Sequence, residues 1–510
     1  MYLVRLSLAA LMIFVYCGYS IAEPNQLTLK EALVLALKKN RNIKIEEINY
    51  EGSKGDITKE YGTFDPQLTL LSSYTEAEIP TASTFIEGGT INEDTFDFNA
   101  GIEGRLPTGT FYQLIDFTAT KTTTDSPIEI LSPNWFDTVN FGIGQDLLRD
   151  FGLSVNLTGV INAKRTSEIS RNELIRTLND TFLEVEIQYW ELVASIQNLE
   201  LQKTALELAK DLERRNTIEV EVGVLPPVSI TQAKSEVASR EVDVISAENE
   251  VEAFADRLKN TLVIPLEEDI VPADTPNEEY VSFIESEVTK QALKNRPEIE
   301  RAKLNMENNE SLRHYYSNQR LPHLSVQANL SYQGLGGDEN PNRLIFGDPS
   351  NPTDIPDQFI GLDNAFDQLF NGDFMTWSVL GVFSFPIFNW EARGQYVKAK
   401  ADYNRSIVEY DKQIDDVNLD VRNSLRAAEN SKRAIDAAKV SVELAKQVVN
   451  NDQERLDVGI GTTRDVLESQ RDLVDAQSSL IRAIALYNIA LARVERARGT
   501  IIQSKGIVIE

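Results

Sequence analysis

The chain is 510 residues long and has very little of what most catalytic or metal-binding sites are built from. It holds one cysteine, two histidines, four methionines and four tryptophans. His314 and His323 alone cannot assemble a zinc centre, which needs four ligands, or three and a water. No glycine-rich phosphate loop ends in Lys-Ser/Thr, and there is neither a GxSxG nor an HExxH motif. The sequence therefore offers no catalytic constellation and asks for no cofactor. Basic residues are also short, at 50 Lys+Arg against 79 Asp+Glu for a net charge of −29. That balance argues against a nucleic-acid partner, because phosphate binding needs a basic face. Most of the excess acid reads as a solvated surface. Past the N-terminus no run of 18 apolar residues occurs, so no transmembrane helix is expected. Only a closed β-barrel could carry such a chain across a membrane, since lipid offers no partner for unpaired backbone groups.

The N-terminus has the layout of a secretory signal. Arg5 is the positive flank, Leu6 to Tyr16 the apolar run, and Ser20-Ile21-Ala22 a small-x-small cleavage site. Residues 1–22 are thus expected to be removed. Bulky Tyr16 makes Cys17 a poor lipid-attachment site. Cleavage after Ala22 would leave an exported protein with no thiol, no disulfide and no lipid anchor.

The rest of the chain says nearly everything twice. Ala36-Leu37-Lys38 recurs as Ala292-Leu293-Lys294, and at the same offset of 256 Ile43 becomes Ile299, Pro66 becomes Pro322 and Leu68 becomes Leu324. At an offset of 236, Val222-Gly223-Val224 becomes Val458-Gly459-Ile460. The heptad Ile230, Val237, Val244, Val251, Leu258 becomes Val466, Leu473, Leu480, Tyr487, Val494. A period near 250 is too long for a solenoid. It predicts two similar halves, residues 23–263 and 286–510, joined by an acidic, proline-bearing linker at residues 264–285.

Each half mixes three kinds of segment. Short stretches alternate with period 2. In His323 to Gln333, Leu324, Val326, Ala328, Leu330 and Tyr332 oppose Ser325, Gln327, Asn329, Ser331 and Gln333. Thr95 to Arg105 and the region of Val139, Phe141 and Ile143 alternate likewise. Met375, Trp377, Val379, Phe383 and Phe385 mark another apolar face, while Gln67 to Thr75 and Phe111 to Lys121 alternate less cleanly. These lengths suit tilted membrane strands, although a soluble sandwich would show the same pattern. Leu153 to Thr217 and Asn389 to Asp457 lack proline and predict helices of roughly 100 Å. Their partners, Val228 to Leu262 and Thr463 to Arg498, carry the heptads, which impose supercoiling. Beside that seam lie the small residues Ala233, Ala247, Ala476, Ala483 and Ala490. Gly223 and Gly459 fold each long helix back on its partner. Glu76 to Asp94 and Gly334 to Gly372 read as loops.

Membrane-length strands joined to very long helical hairpins resemble the TolC-like outer-membrane efflux proteins, over essentially the whole chain after the signal. Leu27-Thr28-Leu29-Lys30-Glu31-Ala32-Leu33 is similar to the family's opening helix, and Ala292 to Ile299 to its half-repeat. Phe385-Pro386-Ile387-Phe388-Asn389 resembles the strand-to-helix junction, with Gln145 to Arg149 as its counterpart. Val458-Gly459 followed by Asp465-Val466-Leu467-Glu468 resembles the turn at the periplasmic tip.

The resemblance implies an α+β membrane protein. Three chains would build one outer-membrane β-barrel continued by a long periplasmic α-helical barrel, with two structural repeats per protomer. It implies a passive exit duct in the outer membrane of a Gram-negative bacterium, with a periplasmic adaptor and an inner-membrane pump as partners. Two strands per half are usual in that family. Here the first half shows four candidates, with Leu106-Pro107-Thr108-Gly109 as a turn, so the extra hairpin belongs to the barrel or lies outside it.

The resemblance also marks sites. Asp465 and Glu468 would form an acidic ring at the periplasmic constriction, though acids in a first helical turn are equally explained by capping and the helix dipole. Their first-half equivalents are Ser229 and Gln232, and Leu456 and Gly461 stand where the family's Tyr and Arg latch residues would be. Gly223, Val224, Gly459 and Ile460 would meet the adaptor. Trp135, Phe136, Phe374 and Trp377 lie near strand ends, where interfacial aromatic girdles sit. Trp190 and Trp390 fall on helices and read as packing residues, and His323 as a residue at the barrel edge. A structural coiled-coil envelope protein or adhesin would explain the helices but not the duplicated strands. A secreted enzyme acting on polysaccharide would have acidic pairs but no motif.

Overall fold

The computed structural model describes residues 25–86, 88–345 and 354–506; the expected signal segment and Cys17 lie outside them. In chain order the elements are β1 (Asn25–Leu27), α1 (Leu29–Lys39), α2 (Arg41–Tyr61), β2 (Gln67–Pro80), β3 (Thr90–Arg105), β4 (Thr110–Thr124), β5 (Leu131–Asp146), α3 (Leu153–Asn156), α4 (Thr158–Glu221) and α5 (Val228–Leu262). There follow β6 (Ile270–Pro272), α6 (Glu285–Asn295), α7 (Pro297–Asn318), β7 (His323–Glu339), α8 (Leu362–Asn371), β8 (Phe374–Ser384), α9 (Trp390–Asp457), α10 (Thr463–Arg498) and α11 (Ile501–Ser504). The chain forms two compact units. One comprises residues up to 45 with 176–296 and from 417 onward, and the other 46–175 and 297–416. Each unit thus takes segments from both sequence halves. No described helix is long and apolar enough to cross a membrane.

The unit containing 46–175 and 297–416 is built on one six-stranded antiparallel sheet in the order β2-β3-β4-β5-β7-β8. All six candidate strands are present, and the extra hairpin, β3–β4, lies within the sheet. Gly109 in its turn has φ +86°, and a Cβ there would fall 2.2 Å from the Asp150 carbonyl oxygen, so glycine is required. Residues directly opposite in an antiparallel pair share a face. One row across all six strands therefore reads Leu70, Ala100, Phe117, Val139, Tyr332, Met375. A neighbouring row on the other face reads Thr69, Gly101, Asp116, Asn140, Ser331, Thr376.

The segment Gly334 to Gly372, read from composition as loop, contains regular structure among its described residues. β7 runs on to Glu339, and α8 packs on β7 and β5. Its apolar residues Leu362, Ala365, Phe366, Leu369 and Phe370 follow helical spacing. Gly334 and Gly336 permit the contact, since a Cβ on either would fall about 2 Å from a carbonyl oxygen, of Ala365 and Gly361 respectively. Buried Gln368 accepts from the Leu335 N–H (3.0 Å) and donates to its carbonyl (3.1 Å). A side-chain amide thereby stands in for a neighbouring strand where β8 has not yet begun.

The other unit is helical. The heptad positions named above are buried or half-buried at every step in α5 and α10. Ala233, Ala247, Ala483 and Ala490 are buried beside them. Ile435, Ala483, Ile484 and Tyr487 form one core cluster, and Ala428, Ala490 and Val494 another. Burying each of the larger side chains is worth roughly 1.5–3 kcal/mol. The linker is pinned down in this unit. β6 pairs in parallel with β1, and the Tyr189 hydroxyl sits 2.8 Å from the Asp274 carboxylate and accepts from the Asp274 N–H. Asn488 exchanges two hydrogen bonds with the Asn277 backbone.

Candidate functional site

The two helical turns are the same motif 236 residues apart. At the first, the Val224 N–H donates to the Glu219 carbonyl and Gly223 N–H to Val220. At the second, Ile460 donates to Arg455 and Gly459 to Leu456. Both are Schellman caps that satisfy carbonyls at the end of a long helix. They require a left-handed residue, and Gly223 and Gly459 have φ +79° and +76°. Each turn leaves two apolar side chains in solvent, Val222 and Val224 in one, Val458 and Ile460 in the other, all 68–71% exposed.

The return helices start differently. α5 follows Pro226-Pro227 and has no side-chain cap. α10 has a capping box: the Asp465 N–H donates to Thr462 Oγ1 (3.3 Å), and the Asp465 carboxylate accepts from the Thr462 N–H (3.0 Å) and hydroxyl (2.8 Å). Those bonds from Thr462 hold the Asp465 carboxyl below its ordinary range. Glu468, one turn on, is exposed. In this chain Asp465 therefore serves the helix end, while Glu468 is free of that duty.

Two helical turns further along α10, a set of charges unmarked by any sequence motif links the two return helices. Glu236 on α5 is buried and accepts from Arg240 Nε (2.8 Å) on its own helix and from Arg471 Nε (2.9 Å) on α10. A second Arg471 nitrogen contacts the same carboxylate. Removing one member would leave a buried charge unpaired. The signal is absent from local sequence because Glu236 and Arg471 are 235 residues apart and only the register of α5 against α10 brings them together.

The two faces of the sheet differ in chemistry rather than in exposure: the apolar and the polar row are both open on the edge strands β2 and β8 and half-buried on the four strands between, and α8 lies against the apolar face, with Phe366 stacked on Phe117. On the apolar face, Leu70 is 65% exposed and Trp377 70%, and Val379 and Phe383 are similarly open. On the other face polar side chains bond one another. Asn99 donates to Asp116 (2.6 Å) and Thr118 (2.9 Å), Thr120 to Asp97 (2.8 Å), and Gln327 to Asn329 (2.9 Å). At the strand ends Asp146 accepts from Arg105 (2.6 Å) and lies 3.0 Å from His323 Nε2. Among the aromatic candidates, Trp135 and Trp377 lie on the apolar face, in register with Gly336 and Leu330. Phe136 and Phe374 pair with Thr120 and Gln333 and so lie on the polar face. Trp190 is buried at 7%, edge-on to Tyr189, as a packing residue should be. Trp390 is not a packing residue: it is 72% exposed and stacks on exposed Phe388 with ring centres 6.2 Å apart. It stands in the first turn of α9, ahead of the helix's packed stretch.

The chain thus combines a six-stranded antiparallel sheet, apolar on one face and polar on the other, with very long helical hairpins. Residues 288–500 match the outer membrane efflux protein family, so the resemblance drawn from the sequence holds. The fold is that of solved outer-membrane channels. The CmeC outer membrane channel of Campylobacter jejuni superposes with a TM-score of 0.66 at 18% identity, covering 93% of this chain and 86% of that one. The outer membrane protein VceC of Vibrio cholerae gives 0.65 at 16%, covering 92% and 96%. The open state of the MtrE channel of Neisseria gonorrhoeae gives 0.61 at 15%, covering 93% and 89%. No functionally curated protein matches the chain in sequence.

Proposed function

We propose that the chain is the protomer of a passive, trimeric outer-membrane exit duct of a Gram-negative bacterium, its strands in the outer membrane and its helical hairpins in the periplasm. The observation that carries this reading is the two-faced sheet: an apolar row that runs across all six strands suits lipid, and a polar, hydrogen-bonded row on the other face suits a wet lumen. The family match and the fold support it. Trp135 and Trp377, with the Phe388–Trp390 stack, would anchor the strands at the interfaces; of the four aromatics first considered, Phe136 and Phe374 face the lumen side.

Energy and cargo would come from an inner-membrane pump through a periplasmic adaptor. The adaptor would seat on the open aliphatics beside Gly223 and Gly459, Val224 and Ile460 chief among them. Asp465 and Glu468 would meet their symmetry copies as an acidic ring that favours cations. In place of the absent Tyr and Arg latch, Glu236 and Arg471 would hold α5 to α10. The half-repeats 23–263 and 286–510, with the linker 264–285, account for the matched elements: adding 256 to α1 (29–39) gives 285–295, the bounds of α6. The chain does no bond chemistry in this reading. Purified protein should run as a heat-modifiable trimer and conduct ions in planar bilayers. A detergent-solubilised monomer that still conducts, or a trimer that never does, would sink the reading.

A further inference from the structure

From the register of the sheet we infer that all six strands enter the barrel wall, so that three copies close an 18-stranded ring by pairing β8 of one copy with β2 of the next. This rests on the trimeric duct reading above and fixes its pore. Four observations carry it.

First, the apolar row Leu70 to Met375 and the polar row Thr69 to Thr376 each cross every strand. The hairpin β3–β4 obeys the same inside–outside rule as its neighbours, which a hairpin folded away from the wall would not need. Second, β2 and β8 are the two open edges and do not pair with each other. All of β8 and all of β2 but one residue are exposed. An open edge cannot persist in lipid, where its N–H and C=O groups find no water. Third, six is even, so β2 and β8 run in opposite directions. The seam between copies is then antiparallel like every internal pair. Fourth, Leu68 and Leu70 on β2 share the apolar face with Met375, Trp377 and Val379 on β8, so joining the edges continues the apolar band without a break.

Six strands in each of three copies make eighteen. A protomer of four strands would make twelve. Barrel diameter grows roughly linearly with strand number, so the wall would be about 1.5 times wider and its opening about twice the area, in the range that leaves an aqueous channel. The polar row with Asp116 and Asn140 would line it. The exit would then be wide, and passage would be decided at the helical turns rather than in the membrane.

Cysteine pairs test this in the full-length chain, whose only native thiol is Cys17. One set combines Leu68→Cys, Leu70→Cys or Ser72→Cys on β2 with Met375→Cys, Trp377→Cys or Val379→Cys on β8. The second set combines the same β8 changes with Phe117→Cys or Ala119→Cys on β4. A disulfide needs Cβ atoms within about 4.5 Å, so only neighbouring strands will cross-link. Membranes are oxidised, run on denaturing gels, and the oligomer mass is measured separately in detergent. The expected result is a trimer by mass, with covalent dimers and trimers from at least one β2/β8 pair and none from β4/β8 pairs. A trimer that cross-links through β4/β8, or through neither set, overturns the 18-stranded ring and leaves the duct reading standing. A monomer by mass overturns the duct reading itself.

Discussion

The sheet and the helical unit solve opposite problems with the same amino acids. In the helical unit Phe182, Tyr487 and Val494 are fully buried, and charges such as Arg433–Glu429 on α9 are solvated. In the sheet the edge strands β2 and β8 are open on both faces, apolar side chains such as Leu70 and Met375 included, and polar side chains of one face bond one another. Burial from water explains the first arrangement. The second fits the duct reading, in which the open apolar edges meet lipid and neighbouring copies.

Two substitutions should break that contrast if it is false. Phe182→Ala, in the helical unit, should cost about 3–5 kcal/mol in any medium, because it empties a fully buried site. Val379→Arg adds a charge to a side chain already exposed in the single chain. In water such a change is nearly neutral; on the lipid face of a barrel it should cost about 2–4 kcal/mol. Reversible denaturant unfolding in lipid vesicles reads both. An unchanged midpoint for Val379→Arg would mean that this face does not meet lipid.

The helical unit also has a pH signature. Glu186 on α4 is buried, and that burial pushes its carboxyl up to about 7 against an ordinary 4.5, even with Lys505 Nζ 3.2 Å away. Because the folded state holds the proton more tightly than the unfolded one, stability should fall as pH rises from about 4.5 to about 7 and then level off. The loss is on the order of 2–3 kcal/mol. Thermal melts from pH 4 to 8 should show it, and Glu186→Gln should flatten the profile. A slope that survives the substitution would place its origin elsewhere.

Smaller effects separate the two turns. Gly459→Ala forces an alanine into a left-handed conformation and should cost about 1–2 kcal/mol. Gly223→Ala should behave alike, since nothing lies within 4 Å of either added Cβ. Calorimetric melts showing a difference between them would mean that the turns are not equivalent. Smallest in stability is the pair Asp465→Asn with Glu468→Gln, which removes two exposed helix-end charges. Its larger effect should be on conduction, weakening cation selectivity and divalent-cation block in single-channel recordings. Unchanged selectivity would leave Asp465 as a cap and Glu468 as a surface charge.

Much of this was legible in residue order. The strands β3 and β7 announced themselves by period 2, and α5 and α10 by their heptads, because each pattern reports which side of one element is apolar. α8 escaped notice because glycine, aspartate and asparagine dominate its surroundings, although its five apolar residues at helical spacing were there to be counted. Trp390 reads as a packing residue and is exposed, because a helix position says nothing about which side of that helix is covered.

The sequence by itself determined the duplicated plan, the lengths of the strands and helices, and the two glycine turns, all of which follow from local periodicity and backbone sterics. Only the tertiary structure decided what depends on register between distant segments. It placed Glu236 against Arg471, set Asp465 as the cap of its own helix, aligned six residues from six strands into one apolar row, and left β2 and β8 as the open edges. No local pattern encodes those pairings, because they arise where elements hundreds of residues apart settle against one another to satisfy hydrogen bonds and bury surface together.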